Sequence, residues 1–330
     1  MNTIKFSRAD NLATEQHNLE LVNVNKEKIF GRELNVYNPC NLNVFVTEIC
    51  HSKCFYCINN KTNDQLFTSR SYVSTEGYLL GLDKLLSELS GKGFEITITG
   101  GEPTLDAERF VKTMELCKKY EIPCRTVSTT GLNLLNPYKE KPLCIYMVEN
   151  GFTHNINISR MHYDELKNSE VFGTDRNISN KDIEKLATFF KLNGAEMRIS
   201  CNIIKNCIDD FNKMMEFVDF YMDLNVDTVM FRELIHHNSI KMQEIINAET
   251  LKTHGFDYLE TLHGLVYDVD VYKKVSTCGG IIAKHYKTLQ SINNDVFYSF
   301  SFKNGKFING FTGDKVDIDL TENIKNDRRK

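Results

Sequence analysis

No apolar run in this sequence approaches the length needed to span a bilayer, and its polar opening lacks the hydrophobic core of a secretory signal. A cytoplasmic protein with no membrane partner is expected. There is no basic excess either: 40 Lys and Arg stand against 44 Asp and Glu, a formal net charge of −4. Nothing in that balance calls for a nucleic-acid partner. There is no internal repeat and no long low-complexity segment. Ten cysteines are present, but a chain of this size with no sign of export needs no disulfide framework. The thiols scattered in apolar segments, Cys117, Cys124 and Cys144, read as small buried hydrophobes.

What is present is a core-forming composition, 41% hydrophobic and 25% charged over 330 residues. That length suits one large domain or two ordinary ones, and an α/β barrel would use nearly all of it. Residues 1–42 read as a polar N-terminal extension with a short strand near 34–37. From residue 43 short β-rich runs alternate with stretches of helical period, which implies βα units on a parallel sheet. Strands are expected at 43–47, 94–99, 124–129, 154–159, 196–204 and 227–232. Helices are expected at 75–89, 105–120, 182–192 and 209–224, with a weak one at 143–150. The expected fold is therefore α/β: a partial (β/α)6 TIM-like barrel over 43–235. A C-terminal α/β segment, 236–320, closes its mouth, and 321–330 is a disordered tail. Within that segment Asn304-Gly305 marks a hairpin between 295–302 and 306–311.

The chemistry concentrates in Glu48-Ile-Cys-His-Ser-Lys-Cys-Phe-Tyr-Cys, where Cys50, Cys54 and Cys57 fall within eight residues. A structural zinc site needs four ligands, and His51 is badly placed to supply one beside Cys50. A redox pair would use Cys54 and Cys57 and leave Cys50 idle. An electron-carrier cluster wants four cysteines. A cubane held by three keeps one iron open for chemistry. One βα unit later the strand FEITIT runs into Gly100-Gly101-Glu102-Pro103. Two glycines permit a tight turn and a close approach to a ligand, and Glu102 is an anionic acceptor for an ammonium. Pro103 suits the first turn of a helix. An ordinary Gly-Gly strand-to-helix turn has the same look.

Cys50-x3-Cys54-x2-Cys57 after a strand, followed by Gly100-Gly101-Glu102-Pro103 after the next, resembles the radical S-adenosylmethionine superfamily. The resemblance implies one [4Fe–4S] cluster on Cys50, Cys54 and Cys57, and S-adenosylmethionine on the open iron. It implies Tyr56 beside the adenine, and Gly100, Gly101 and Glu102 at the methionine amino group. Thr130 then lies near the ribose or methionine, Ser159 reaches the carboxylate or ribose, and Arg198 pairs with the carboxylate. Asn202 shares the Arg198 face. Arg160 and His162 fall at the barrel mouth. Arg232-Glu233 resembles the matching strand of the GTP 3′,8-cyclase-like branch. That branch's cysteine-rich site and Gly-Gly tail are not seen here.

The implied activity is reductive cleavage of S-adenosylmethionine to a 5′-deoxyadenosyl radical, which abstracts hydrogen from a small-molecule substrate. Maturation of a ribosomally made peptide is the alternative, and a non-catalytic iron–sulfur or zinc protein is a further one. An external reductant such as flavodoxin or ferredoxin is needed. Beyond residue 150 only Cys201, Cys207 and Cys278 remain. They read as a buried thiol, an auxiliary-cluster set, or, for Cys201 and Cys278, hydrogen donors to a substrate radical. The first 42 residues are too few for a winged-helix leader-binding module, and no B12-binding unit is expected.

Overall fold

A computed structural model describes residues 6–8, 24–57, 73–152, 154–234, 240, 242–245, 258–260, 267–268, 274–278, 296–310 and 313–321. Strand β1 (Val24–Ile29) turns at Phe30-Gly31 into the long β2 (Arg32–Phe45). The short strand expected near 34–37 and the one expected at 43–47 are thus one continuous strand. Next come α1 (Thr75–Leu89), β3 (Phe94–Thr99) and α2 (Ala107–Lys119). They are followed by β4 (Cys124–Thr129), α3 (Leu143–Glu149) and β5 (Asn155–Ser159). The chain continues through α4 (Glu165–Phe172), α5 (Asn180–Leu192), β6 (Glu196–Asn202), α6 (Phe211–Asp223) and β7 (Thr228–Arg232). The helix expected at 105–120 is split. Pro103–Leu105 forms a 3-10 turn, and Asp106 restarts the chain as the α2 cap. Helix α4 escapes the sequence pattern because it buries only Asn168 and Phe172 and leaves Leu166 exposed.

Strands β2 to β7 pair in sequence order, all parallel, as expected for the partial barrel. The parallel run does not stop there. Strand β8 (Lys274–Cys278) adds to β7, and β9 (Val296–Lys303) adds to the other edge of β2. Then β10 (Lys306–Asn309) and β11 (Asp317–Asp319) continue antiparallel from β9. The Asn304-Gly305 hairpin is present, with φ of 50° and 77°, the left-handed pair that a two-residue hairpin turn needs. Five of the six helices labelled here start at a side-chain cap; α3, which follows Pro142, has none. Ser74, Asp106, Asp164, Ser179 and Asp210 accept from first-turn amides, at about 1 kcal/mol each.

Strand alternation decides what the barrel is for. Leu42, Val44, Ile96, Ile98, Val127, Ile156, Ile158, Met197, Ile199, Val229 and Phe231 are all fully buried in the core. Burying each contributes about 1.5–3 kcal/mol. The intervening residues of the same strands are largely polar and line a cavity instead. A closed barrel packs its interior with branched aliphatics; this one keeps a hydrophilic lumen. Of the tail expected at 321–330, Thr321 is ordered against the sheet, buried and donating its N–H to Asp319 Oδ1 at 2.8 Å; 322–330 lie outside the described residues.

Candidate functional site

The loop after β2 carries the cysteines, and the turn after β3 holds it. Backbone pairing continues past both strand ends: Val46 N–H donates to Thr99 O at 3.0 Å. Gly101 N–H donates to Thr47 O and Glu102 N–H to Ile49 O, each at 2.8 Å. The two glycines are therefore required by the cysteine loop itself. A Cβ on Gly100, whose φ is 151°, would stand 2.3 Å from Thr47 O. One on Gly101 would stand 2.4 Å from Ile49 O and 2.6 Å from Glu48 O. The close approach that the sequence suggested is made to the chain's own backbone. On the far side Lys53 N–H donates to Phe172 O at 2.8 Å, so the end of α4 supports the same loop.

The three thiols are neighbours. Burial, with the Cys57 and Cys50 thiols adding to it, pushes Cys54 up to about 11. Cys57 N–H closes a turn on Cys54 O at 3.1 Å, and Cys50 Sγ accepts from Ser52 N–H at 3.4 Å. Burial, reinforced by the adjacent Cys54, raises the Tyr56 phenol well above its ordinary range. Among the described residues no three His, Cys, Asp or Glu side chains converge as ligands of a single ion must. That weighs against a zinc site built with His51. A cubane makes no such demand, since each thiolate takes a different iron. Three mutually close thiols on one loop, none in a disulfide, fit that donor set.

Glu102 is fully buried. Its Oε1 accepts from Thr104 N–H (3.1 Å), Thr104 Oγ1 (2.6 Å) and Thr129 Oγ1, and Oε2 accepts from Thr130 N–H at 2.6 Å. The carboxylate thereby ties the end of β3 to the end of β4. Only Oε2, with a single donor, keeps room for an ammonium.

Behind these loops lies a cavity of about 580 Å³. Tyr56, Cys57, Gly100, Gly101, Glu102, Thr130, Ser159 and Arg198, all expected from sequence, border it together. So do Asn202, Arg232 and Glu233. Asn43, Thr97, Ser128, Asn157 and Ser200 also line it and were not anticipated. For two of them the signal was present: Asn157 stands two residues from Ser159, and Ser200 two from both Arg198 and Asn202. Asn157 and Thr130 are nine-tenths buried, and Asn157 Oδ1 and Thr130 Oγ1 have no hydrogen-bond partner among the described residues. Buried polar atoms are normally satisfied, so these two mark a place for a polar ligand.

The chain covers 87% of its length on Streptococcus suis SuiB bound to S-adenosylmethionine, with TM-score 0.55 and 16% identity. The likeness is one of fold. SuiB bound to precursor peptide SuiA matches to the same degree, over 86% of this chain. Native anSMEcpe with bound AdoMet gives TM-score 0.53 at 18% identity, over 86% of this chain and 78% of its own. The chain spans 64% of SuiB's length in the first match and 63% in the second. No protein-family model and no curated protein matches the sequence. No described helix is long and apolar enough to cross a membrane.

Two readings change. Cys201 does not line the cavity: it sits on the outward face of β6, fully buried, donating to Met161 O at 3.8 Å and Asn202 O at 3.5 Å. That placement gives no support to the expected hydrogen-donor role, which needs the thiol to face the cavity. Cys207 donates to the same Met161 carbonyl at 3.0 Å. Cys278 pairs in register with Arg232 at the cavity end of the sheet, and its side chain lies outside the described residues. Arg160 and His162 are buried instead of lining the mouth. Arg160 donates to Tyr221 Oη (2.9 Å), Ile178 O (3.0 Å) and Asn180 Oδ1 (2.9 Å), all neutral acceptors. Arg160→Met strands those acceptors and is expected to cost about 2–4 kcal/mol in urea unfolding, with iron uptake of the folded fraction unchanged.

Proposed function

We propose that this chain is a radical S-adenosylmethionine enzyme whose substrate is a peptide. One observation carries the reading: the cysteine loop and the glycine turn are hydrogen-bonded to each other and border one polar cavity. In this reading Cys50, Cys54 and Cys57 hold one [4Fe–4S] cluster. When bound, the cluster supplies the electron that cleaves S-adenosylmethionine to a 5′-deoxyadenosyl radical. The protein's residues bind and orient. Glu102 keeps the two strand ends in register and offers Oε2 to the methionine ammonium. Tyr56 walls the adenine side. Thr130, Ser159 and Arg198 supply polar contacts to the cofactor, and Asn157, deeper on β5, meets what lies beyond it. An external one-electron donor such as flavodoxin or ferredoxin completes the cycle.

The peptide is supported by SuiB, which shares the fold and is seen with a precursor peptide. A small polar metabolite is the second reading, favoured by the compact polar cavity. Anaerobic reconstitution with dithionite and S-adenosylmethionine tests the chemistry. Wild-type protein is expected to form 5′-deoxyadenosine, and Cys54→Ala to fall to the level of metal-free protein. Equal product from both would sink the reading. Stimulation by a short-peptide fraction of cell extract, lost after protease treatment, is expected for a peptide substrate. Stimulation that survives protease would assign a metabolite.

A further inference from the structure

Strand β2 lies between β3 and β9. The segment that follows it, which leads to Cys50, is gripped from the β3 side by the glycine turn. On the β9 side stands Lys303. Phe302 of β9 pairs with Val44, so the next residue arrives beside the end of β2. The Lys303 side chain is only 3% exposed, yet its Nζ lies 3.2 Å from Glu48 Oε1 and 5.1 Å from the Phe45 ring centroid. Phe45 borders the cavity, and the Glu48 carbonyl is one of the atoms a Cβ on Gly101 would strike. A buried ammonium is costly to desolvate, and such pairs add little net stability. What such a pair can do is favour one arrangement of the groups that carry it, here the one that brings Glu48 to Lys303. The cation–π contact with Phe45 adds to that preference.

We propose that Lys303 is a positioning residue for the cysteine loop, delivered by the C-terminal strand. It holds Glu48, and through it Thr47–Cys50, against the glycine turn. The proposal rests on the function above only where it speaks of a cluster. The metal-free protein tests it directly, through hydrogen exchange of the Gly101 and Glu102 amides and the rate of maleimide labelling of Cys50. Lys303→Met is expected to speed both by roughly tenfold or more by local opening. Lys303→Arg is expected to restore wild-type behaviour, and the Glu48→Gln/Lys303→Met pair to lie between. After reconstitution, iron per chain and the cluster EPR signal should follow the same order. A folded Lys303→Met protein with wild-type exchange and labelling overturns the proposal. Should that variant fail to fold, Glu48→Gln alone decides, since it keeps the lysine and the charge balance shifts only at the loop: acceleration supports the proposal and none overturns it. Wild-type protein that takes up no iron would remove the proposed function, while the exchange and labelling data would still decide on Lys303.

Discussion

Gly101→Ala is expected to leave the barrel folded and to lose most of its iron on reconstitution. The new methyl would meet Ile49 O at 2.4 Å and Glu48 O at 2.6 Å, both backbone atoms that cannot swing aside. The loop must retreat and break the 2.8 Å bonds from Gly101 to Thr47 and from Glu102 to Ile49. Overpacking of this kind costs about 1–3 kcal/mol, and here it strains loop bonds and no core contact. The loss should therefore fall on the loop alone. Iron per chain, set beside a thermal melt, checks this. An alanine variant with full iron content would show that the loop has a second acceptable position and that the glycine pair serves something else.

Glu102→Ala should have the largest effect on stability. It removes the acceptor for two amides and two hydroxyls at a fully buried side chain. Orphaning those donors is expected to cost about 3–5 kcal/mol in urea unfolding. Glu102→Gln keeps the shape and the Oε1 contacts but turns an NH2 toward Thr130 N–H, so about 1–3 kcal/mol is expected. The pair also separates two roles. A scaffold predicts that loss of cofactor affinity tracks loss of stability across both variants. A direct ligand for an ammonium predicts that Gln loses S-adenosylmethionine binding about as fully as Ala does, although its loss of stability is the smaller. Isothermal titration of the reconstituted variants against their unfolding curves distinguishes the two.

The order of elements was legible because their periods are. The run FEITIT alternates, helix α1 repeats its leucines at helical spacing, and each cap residue stands directly before its helix. The spacing of Cys50, Cys54 and Cys57 and the Gly100-Gly101 pair were equally plain. Other features were not. Helix α4 buries too little to leave a period. Arg160 looked like a mouth residue because nothing in its neighbourhood in sequence reveals that Tyr221 and Ile178 close over it. The Lys303–Glu48 pair spans most of the chain, and no local pattern encodes such a contact.

By itself the sequence determined the strand and helix periods, the three-thiol loop and the alternation of polar with apolar residues along each strand, since these depend on neighbours a few positions apart. Only the tertiary structure decided which face of each strand turns inward, that the glycines serve the cysteine loop's own backbone, and that Glu102 is largely consumed by threonines. Those outcomes depend on how separate segments meet in space, through carbonyls and hydroxyls that every residue or many residues carry. A shared chemical group leaves no distinctive mark in a string of letters until the fold brings its partner within reach.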